Sequence, residues 1–279
     1  MPTTVPARPK GALFAASRGA LGRLRPLVGT VAGALAEALY PPRCIACRAE
    51  VMTPHGLCPG CRTESHFITS PLCTRCGAPL HGAVDAPICD HCLHAEFAFD
   101  AARAALTYAG AARKMVLRLK HSDRLDLARP LGDWMAVAGA PLLAGADCVA
   151  PVPLHPRRLL ARRANQAAEL ARRIAAVSGT PFAPGLLRRV RATDPQKDRG
   201  REGRAANLAG AFAVAPRARV SGRRVVLVDD VMASGATLSA CAGALKAAGA
   251  VWVGVLVAAR VASEEAVPIF GASREGTET

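Results

Sequence analysis

Aromatic side chains are scarce in this chain. Its 279 residues include 2 Trp, 2 Tyr and 7 Phe, 4% in all. A protein that stacks single-stranded bases needs aromatic platforms, and the cysteine-rich region offers only Phe67. Acids are also in short supply. There are 21 Asp and Glu against 36 Lys and Arg, a formal charge of +15. That excess favours polyanionic partners, either nucleic acid or phosphorylated metabolites. No stretch reaches the ~18 consecutive apolar residues of a membrane span, so no transmembrane segment is expected. Arg8, Lys10, Arg18, Arg23 and Arg25 precede the first acid, Glu37. The pattern is like that of a transit peptide, without the continuous apolar core of a secretory signal.

Cysteine is plentiful. Eight of the ten cysteines form four C-x-x-C pairs: Cys44/Cys47, Cys58/Cys61, Cys73/Cys76 and Cys89/Cys92. The gaps between pairs are 10, 11 and 12 residues. Each C-x-x-C turn presents two thiolates to one side, and two such knuckles complete a tetrahedral Cys₄ site. Such regularity suits metal in a reducing compartment better than a disulfide framework. Two structural Zn²⁺ are expected. They would supply the folding energy that so short and polar a segment lacks. The spacing leaves the pairing open between consecutive and alternate knuckles. His55, His66, His81, His91 and His94 are alternative ligands that also suit solvated loops. A redox role would need a thioredoxin-like strand and helix, which four knuckles in series lack. Cys148 and Cys241 read as inert core thiols.

The chain divides by composition. Residues 1–20 are rich in Pro, Ala and Gly and are expected to be disordered. Residues 21–42 have apolar positions at helical spacing up to Pro41-Pro42, and predict an amphipathic helix. The knuckles fill 43–95, and an α/β pattern fills 96–262. The tail, 263–279, is expected to be disordered. Within the α/β part, residues 101–108 alternate like an edge strand. Helices are expected over 111–120 and 131–143, the first carrying Arg113, Lys114, Arg118 and Lys120 towards the border of a site. A Rossmann-like core is expected to begin at Asp147, with a strand over 148–152. A helix over 165–177, a strand region over 182–190 and a short strand over 212–214 follow.

The most informative stretch is Arg224 to Thr237, RVVLVDDVMASGAT. Val225 to Val228 form an unbroken apolar run, which fits a parallel strand covered on both faces. The run ends in Asp229 and Asp230. A small-residue turn, Ala233-Ser234-Gly235-Ala236-Thr237, leads into a helical pattern from Leu238. Such a turn aims free backbone N–H groups and the helix dipole at one point, where a phosphate fits. Gly235 can adopt positive φ, and Ser234 and Thr237 offer hydroxyls. The two acids suit sugar hydroxyls. The implied ligand is a ribose 5-phosphate; the alternative is a buried strand with a structural Asp-Asp turn.

This stretch resembles the phosphoribosyl pyrophosphate (PRPP) loop of type I phosphoribosyltransferases. The resemblance implies that Asp229 and Asp230 hold the ribose 2′- and 3′-hydroxyls and that the loop holds the 5′-phosphate. It also implies that His155, Arg157 and Arg158, after the 148–152 strand, meet the pyrophosphate and its Mg²⁺. The polar stretch 191–207 has no apolar periodicity. With Arg188 and Arg189 just upstream it brings together seven basic residues. It reads as a lid whose Lys197 and Arg199 neutralise departing pyrophosphate, or as a surface charge run.

The whole series LYPPRCIAC, four knuckles, LKH, PVPLHPRR, NQAAELAR, NLAGAF and LVDDVMASGAT resembles the ComF family of bacteria over roughly 35–260. Two positions depart from the family pattern: Arg163-Ala164 stands where Arg-Gly-Phe is common, and Ala233-Ser234 where Thr-Thr is frequent. The resemblance implies an α/β fold, a Rossmann-like parallel sheet of the type I phosphoribosyltransferase fold with an N-terminal double zinc ribbon. It further implies a cytoplasmic protein linked to natural competence and DNA uptake, with PRPP as ligand. Single-stranded DNA and proteins of the competence machinery are the implied partners. Three classes stay open: a phosphoribosyl transferase, a DNA-handling module, and a PRPP sensor without chemistry. Oligomeric state and acceptor are not written in the sequence.

Overall fold

A computed structural model describes residues 41–80, 87–121, 124–154, 164–191, 208 and 210–262. The expected helix over 21–42, apart from Pro41 and Pro42, and the two expected disordered ends lie outside these residues.

The centre of the molecule is a parallel sheet. Its strands are β1 (Ala101–Thr107), β2 (Cys148–Pro151), β5 (Arg224–Met232) and β6 (Trp252–Arg260), in the order β1-β6-β5-β2. A parallel bridge from Val149 to Phe182 adds a fifth segment beside β2. The other two strands, β3 (Leu187–Arg189) and β4 (Phe212–Val214), form an antiparallel hairpin of their own. The 182–190 region therefore divides between the sheet edge and this hairpin. The core begins earlier than Asp147, because β1 runs parallel to β6 within the same sheet.

Successive strand side chains point to opposite faces, and both faces of β5 are sealed. Val226 and Val228 join one apolar cluster, Val225 and Leu227 the other, all with 0% exposure. The first face is covered by α3 (Gly110–His121), α4 (Ala128–Ala138) and α6 (Gln166–Ser178), through Met115, Leu119, Leu131, Met135, Leu170 and Ile174. The second is covered by α7 (Ala236–Ala247) and the hairpin, through Leu238, Cys241, Leu245 and Phe212. Three layers result, as an α/β sheet requires.

Local signals set the boundaries. Asn165 caps α6 by accepting a bond from the Ala167 N–H at 3.1 Å, and Gly179 ends it at φ 74°. The single helix expected over 131–143 is two, α4 and α5 (Ala140–Leu143). They break at Gly139, where an added Cβ would lie 2.5 Å from a Leu256 methyl.

The knuckle region docks on this core. Short helices α1 (Pro59–Thr63) and α2 (Asp90–His94) each follow a cysteine, Cys58 and Cys89. The segment between the ribbons pairs with the free edge of β1: Ile68 N–H donates to Ala105 and Thr107 N–H to His66. That covers an edge that would otherwise be open to other chains.

Candidate functional site

The eight knuckle cysteines assemble as consecutive tetrads, Cys44/Cys47/Cys58/Cys61 and Cys73/Cys76/Cys89/Cys92, with the sulfur atoms of each set within 4.8 Å of one another. Alternate pairing is excluded by this arrangement. The two tetrads repeat one another. The Cys58 N–H donates to Cys44 Sγ at 3.3 Å, and the Cys89 N–H to Cys73 Sγ at 3.4 Å. Burial raises both acceptor thiols, but backbone N–H donors outweigh it, leaving Cys44 at about 6 and Cys73 at about 7. One thiolate in each tetrad is thereby favoured, whereas burial and the neighbouring sulfurs push Cys89 up to about 11 and raise Cys61 and Cys92 further. A cation is what such a crowded set of thiols lacks, and an all-sulfur tetrahedral donor set fits structural Zn²⁺. Among the described residues no histidine joins either tetrad.

The first ribbon is part of the main core. Cys44, Ile45, Ala46 and Cys61 belong to the cluster that holds Met115 and Leu119. The second has its own small cluster of Cys73, Cys76, Ala78 and Cys92, with Phe97 packed against it. Phe97 stacks on Phe99 at 4.6 Å between ring centroids, and its ring edge would lie 3.0 Å from a Cβ on Gly235. Ala98 N–H also donates to Ser239 Oγ at 2.9 Å. The chain leaving the second ribbon thus forms a wall of the small-residue turn after β5.

That turn bounds a pocket of about 130 Å³, lined by Asp229 and by Val231 to Leu238. Gly235 has φ 74°, and α7 begins at Ala236, two residues before the expected Leu238. Among the described residues no side chain caps α7. Helix starts normally receive a side-chain acceptor for their free N–H groups. Here the first turn, carrying Ala236, Thr237 and Leu238, faces the pocket instead, where an anion can serve. Ala233, Ser234, Gly235, Ala236 and Thr237 all line this pocket.

The acidic pair is divided by the pleat. Asp229 lines the pocket, whereas Asp230, 8% exposed, forms an ion pair with Lys120 of α3 at 3.0 Å. Asp229 Oδ1 accepts the Asp230 N–H at 2.9 Å. Burial, reinforced by the neighbouring Asp230 charge, pushes Asp229 up to about 7. The Asp230 N–H and the Lys120 charge pull the other way and lose. His155, Arg157 and Arg158, and the lid residues Lys197 and Arg199, lie outside the described residues.

The sequence placed Lys120 on a basic helix near the site without linking it to either acid. The missing signal was tertiary, since 110 positions separate Lys120 from Asp230. Phe97 and Arg260 were missed for the same reason. Arg260 ends β6, and its buried guanidinium donates from Nη1 to the Cys76 carbonyl and to Cys76 Sγ.

A three-layer parallel sheet, a helix start without a side-chain cap beside the β5 acid Asp229, and two cysteine tetrads define a phosphoribosyltransferase-type domain joined to a double zinc ribbon. Residues 35–93 match the double zinc ribbon domain and residues 166–275 the phosphoribosyl transferase domain. Competence protein F of Haemophilus influenzae is 30% identical over 204 residues, 71% of this chain and 87% of that protein. The DNA utilization protein YhgH of Salmonella typhi is 30% identical over 224 residues, 77% of this chain and 95% of that protein. The chain belongs to the competence protein F (ComF) family. A solved allosteric regulatory enzyme of purine biosynthesis is 21% identical, covering 51% of this chain and 30% of its own, at a TM-score of 0.35.

Proposed function

We propose that the protein binds PRPP, with Asp229 and Asp230 receiving the ribose hydroxyls and the loop Ala233 to Thr237 receiving the 5′-phosphate. The observation that carries this reading is the 130 Å³ pocket, with the uncapped start of α7 on one side and Asp229 on the other. Phosphate suits the N–H groups and the dipole; a diol suits the carboxylate. His155, Arg157 and Arg158 are assigned to the pyrophosphate, and Lys197 and Arg199 to the closing lid, by sequence position alone. Carboxylate oxygens beside the pocket fit a hydrated Mg²⁺. Asp229 and Asp230 would hold it through its waters, and its chemistry there is to neutralise charge on the diphosphate.

The names of the relatives, a competence protein and a DNA utilization protein, support a setting in DNA uptake. Our reading adds a cytoplasmic location, with incoming single-stranded DNA and competence-machinery proteins as partners. The charge of +15 favours direct DNA binding as a second activity. Contact through phosphates alone gives a log–log salt slope of about −0.7 per contact. A flat salt response would remove that activity and leave the PRPP reading standing.

The test is calorimetric titration with PRPP and Mg²⁺, followed by a pyrophosphate-release screen over nucleobases, amines and DNA. Binding with release identifies a pentosyl transferase. Binding without release identifies a PRPP sensor. No binding overturns the reading.

A further inference from the structure

Lys120 has a position that a surface lysine would not need. It lies in the last turn of α3, whose Met115, Val116 and Leu119 are buried to 1% exposure or less and fix the helix on the sheet. Its ammonium reaches Asp230 Oδ1, within β5, at 3.0 Å. The two side chains are 24% and 12% exposed. A lysine that only complements the negative end of its helix could point into solvent. This one reaches the acid next to the pocket instead, and its charge also bears on Asp229.

Asp229 and Asp230 point to opposite sides of the pleat within β5, yet two neighbouring carboxylates still attract a divalent cation, since oxygen donors of like charge favour one. An ammonium on one of them changes that preference. A free metal ion must displace a bound cation from a partly desolvated pair, at a coulombic cost. A neutral diol carries its own hydroxyl donors and can share or take the carboxylate without importing charge. Lysine suits exchange of this kind because its ammonium is a point charge on a flexible stem with no fixed fork geometry.

We propose that Lys120 is the resident cation of the acidic pair and makes it select a ribose diol over a free divalent ion. This role rests on the phosphoribosyl reading of the pocket. In the ligand-free protein Lys120 holds Asp230. When a ribose arrives, its hydroxyl takes that oxygen and the ammonium swings aside. The pair then meets a divalent ion only together with the ligand's diphosphate. Lys120 is thus a specificity-determining residue supplied by a helix outside the strand–loop–helix motif.

The experiment uses zinc-loaded full-length protein and Mn²⁺ as probe, with binding followed by electron paramagnetic resonance in the absence of any phosphoribosyl ligand. Wild type should bind Mn²⁺ weakly. Lys120→Met should bind it at least about tenfold more tightly, and Lys120→Arg, which keeps the charge, should stay near wild type. Adding Asp230→Asn to Lys120→Met should abolish the gain. Circular dichroism and zinc content of each variant report its folding, and Lys120→Gln replaces Lys120→Met if that variant does not fold. Equal Mn²⁺ affinity in wild type and the uncharged variants would overturn the proposal. PRPP affinity is measured separately by calorimetry. A missing PRPP signal with the Mn²⁺ contrast intact would sink the phosphoribosyl reading while leaving Lys120 as the cation of the pair.

Discussion

Arg260 joins the second zinc ribbon to the sheet through Cys76, donating from Nη1 to the carbonyl oxygen and, at 3.2 Å, to Sγ. Arg260 is 6% exposed and stands opposite Met232 in the β5–β6 ladder. Met232 lines the pocket. A four-thiolate zinc site carries net negative charge, and a buried guanidinium is its counter-charge. Hydrogen bonds to metal-bound groups tune affinity about 10–100-fold. Arg260→Met should therefore speed zinc release from the Cys73/Cys76/Cys89/Cys92 tetrad by about that factor. Release from the first tetrad should not change. A chromogenic chelator assay resolves the two phases, and equal acceleration of both would refute a local effect.

The first ribbon should behave differently from an appended module. Its Cys44, Ile45, Ala46 and Cys61 share a core with α3 and α4, and Lys114 bonds Glu64 beyond α1 at 2.9 Å. Zinc binding and local folding are the same free energy. Cys58→Ser should lower the melting temperature of the whole protein in a single calorimetric transition. A ribbon lost alone, with the sheet melting at its original temperature, would contradict this.

The acidic pair carries the ligand prediction. Asp229→Asn with Asp230→Asn should abolish measurable PRPP binding while zinc content and fold persist. Charge-assisted hydrogen bonds to two hydroxyls contribute on the order of 1.5–3 kcal/mol each, enough for well over a tenfold loss. If the pair is only a structural cap, the melting temperature falls and PRPP affinity stays.

Asp229 also sets a pH dependence. Burial raises its folded value to about 7, above the ordinary 3.8. Between those values the folded protein holds a proton that the unfolded chain has released. Stability therefore falls as pH rises from about 4 to about 7, and the full cost stands above that window. Asp229→Asn should be more heat-stable than wild type at pH 8 and indistinguishable near pH 4. PRPP binding needs the ionised acceptor, so wild-type affinity should rise as pH passes through about 7. Thermal scans and calorimetry across that range check both signs.

Gly235 tests the turn. Its φ of 74° costs an ordinary residue about 1–2 kcal/mol, and an added Cβ would press on Phe97 at 3.0 Å. Gly235→Ala should lose that stability and weaken PRPP binding. Gly222 has φ 73° with open space around it. Gly222→Ala should cost similar stability and leave PRPP affinity unchanged.

Much of this was legible in the chain because it depends on neighbours in sequence. A C-x-x-C turn directs its thiolates by local geometry. Val225 to Val228 must be covered on both sides. Gly235 at the N-cap position has no side chain of its own to cap α7. Local pattern gave less for the 182–190 region, where Phe182 meets β2 and Leu187–Arg189 turn away into a hairpin. Hydrophobicity alone cannot say which sheet a strand joins. The break at Gly139 was hidden for a similar reason, since the Leu256 methyls that would crowd a Cβ there, at 2.5 and 2.8 Å, come from a distant strand.

By itself, then, the sequence determined the chemistry: eight cysteines in four knuckles, two adjacent acids after an apolar run, and a small-residue turn into a helix. Those are fixed by residue type and short spacing. The tertiary structure decided how the pieces work on one another. It paired the knuckles consecutively and set the first ribbon into the main core. It put Phe97 against Gly235 and Arg260 against Cys76, and brought Lys120 across 110 positions to Asp230. Each of these contacts joins residues far apart in the chain, and only packing on a common sheet sets their distance.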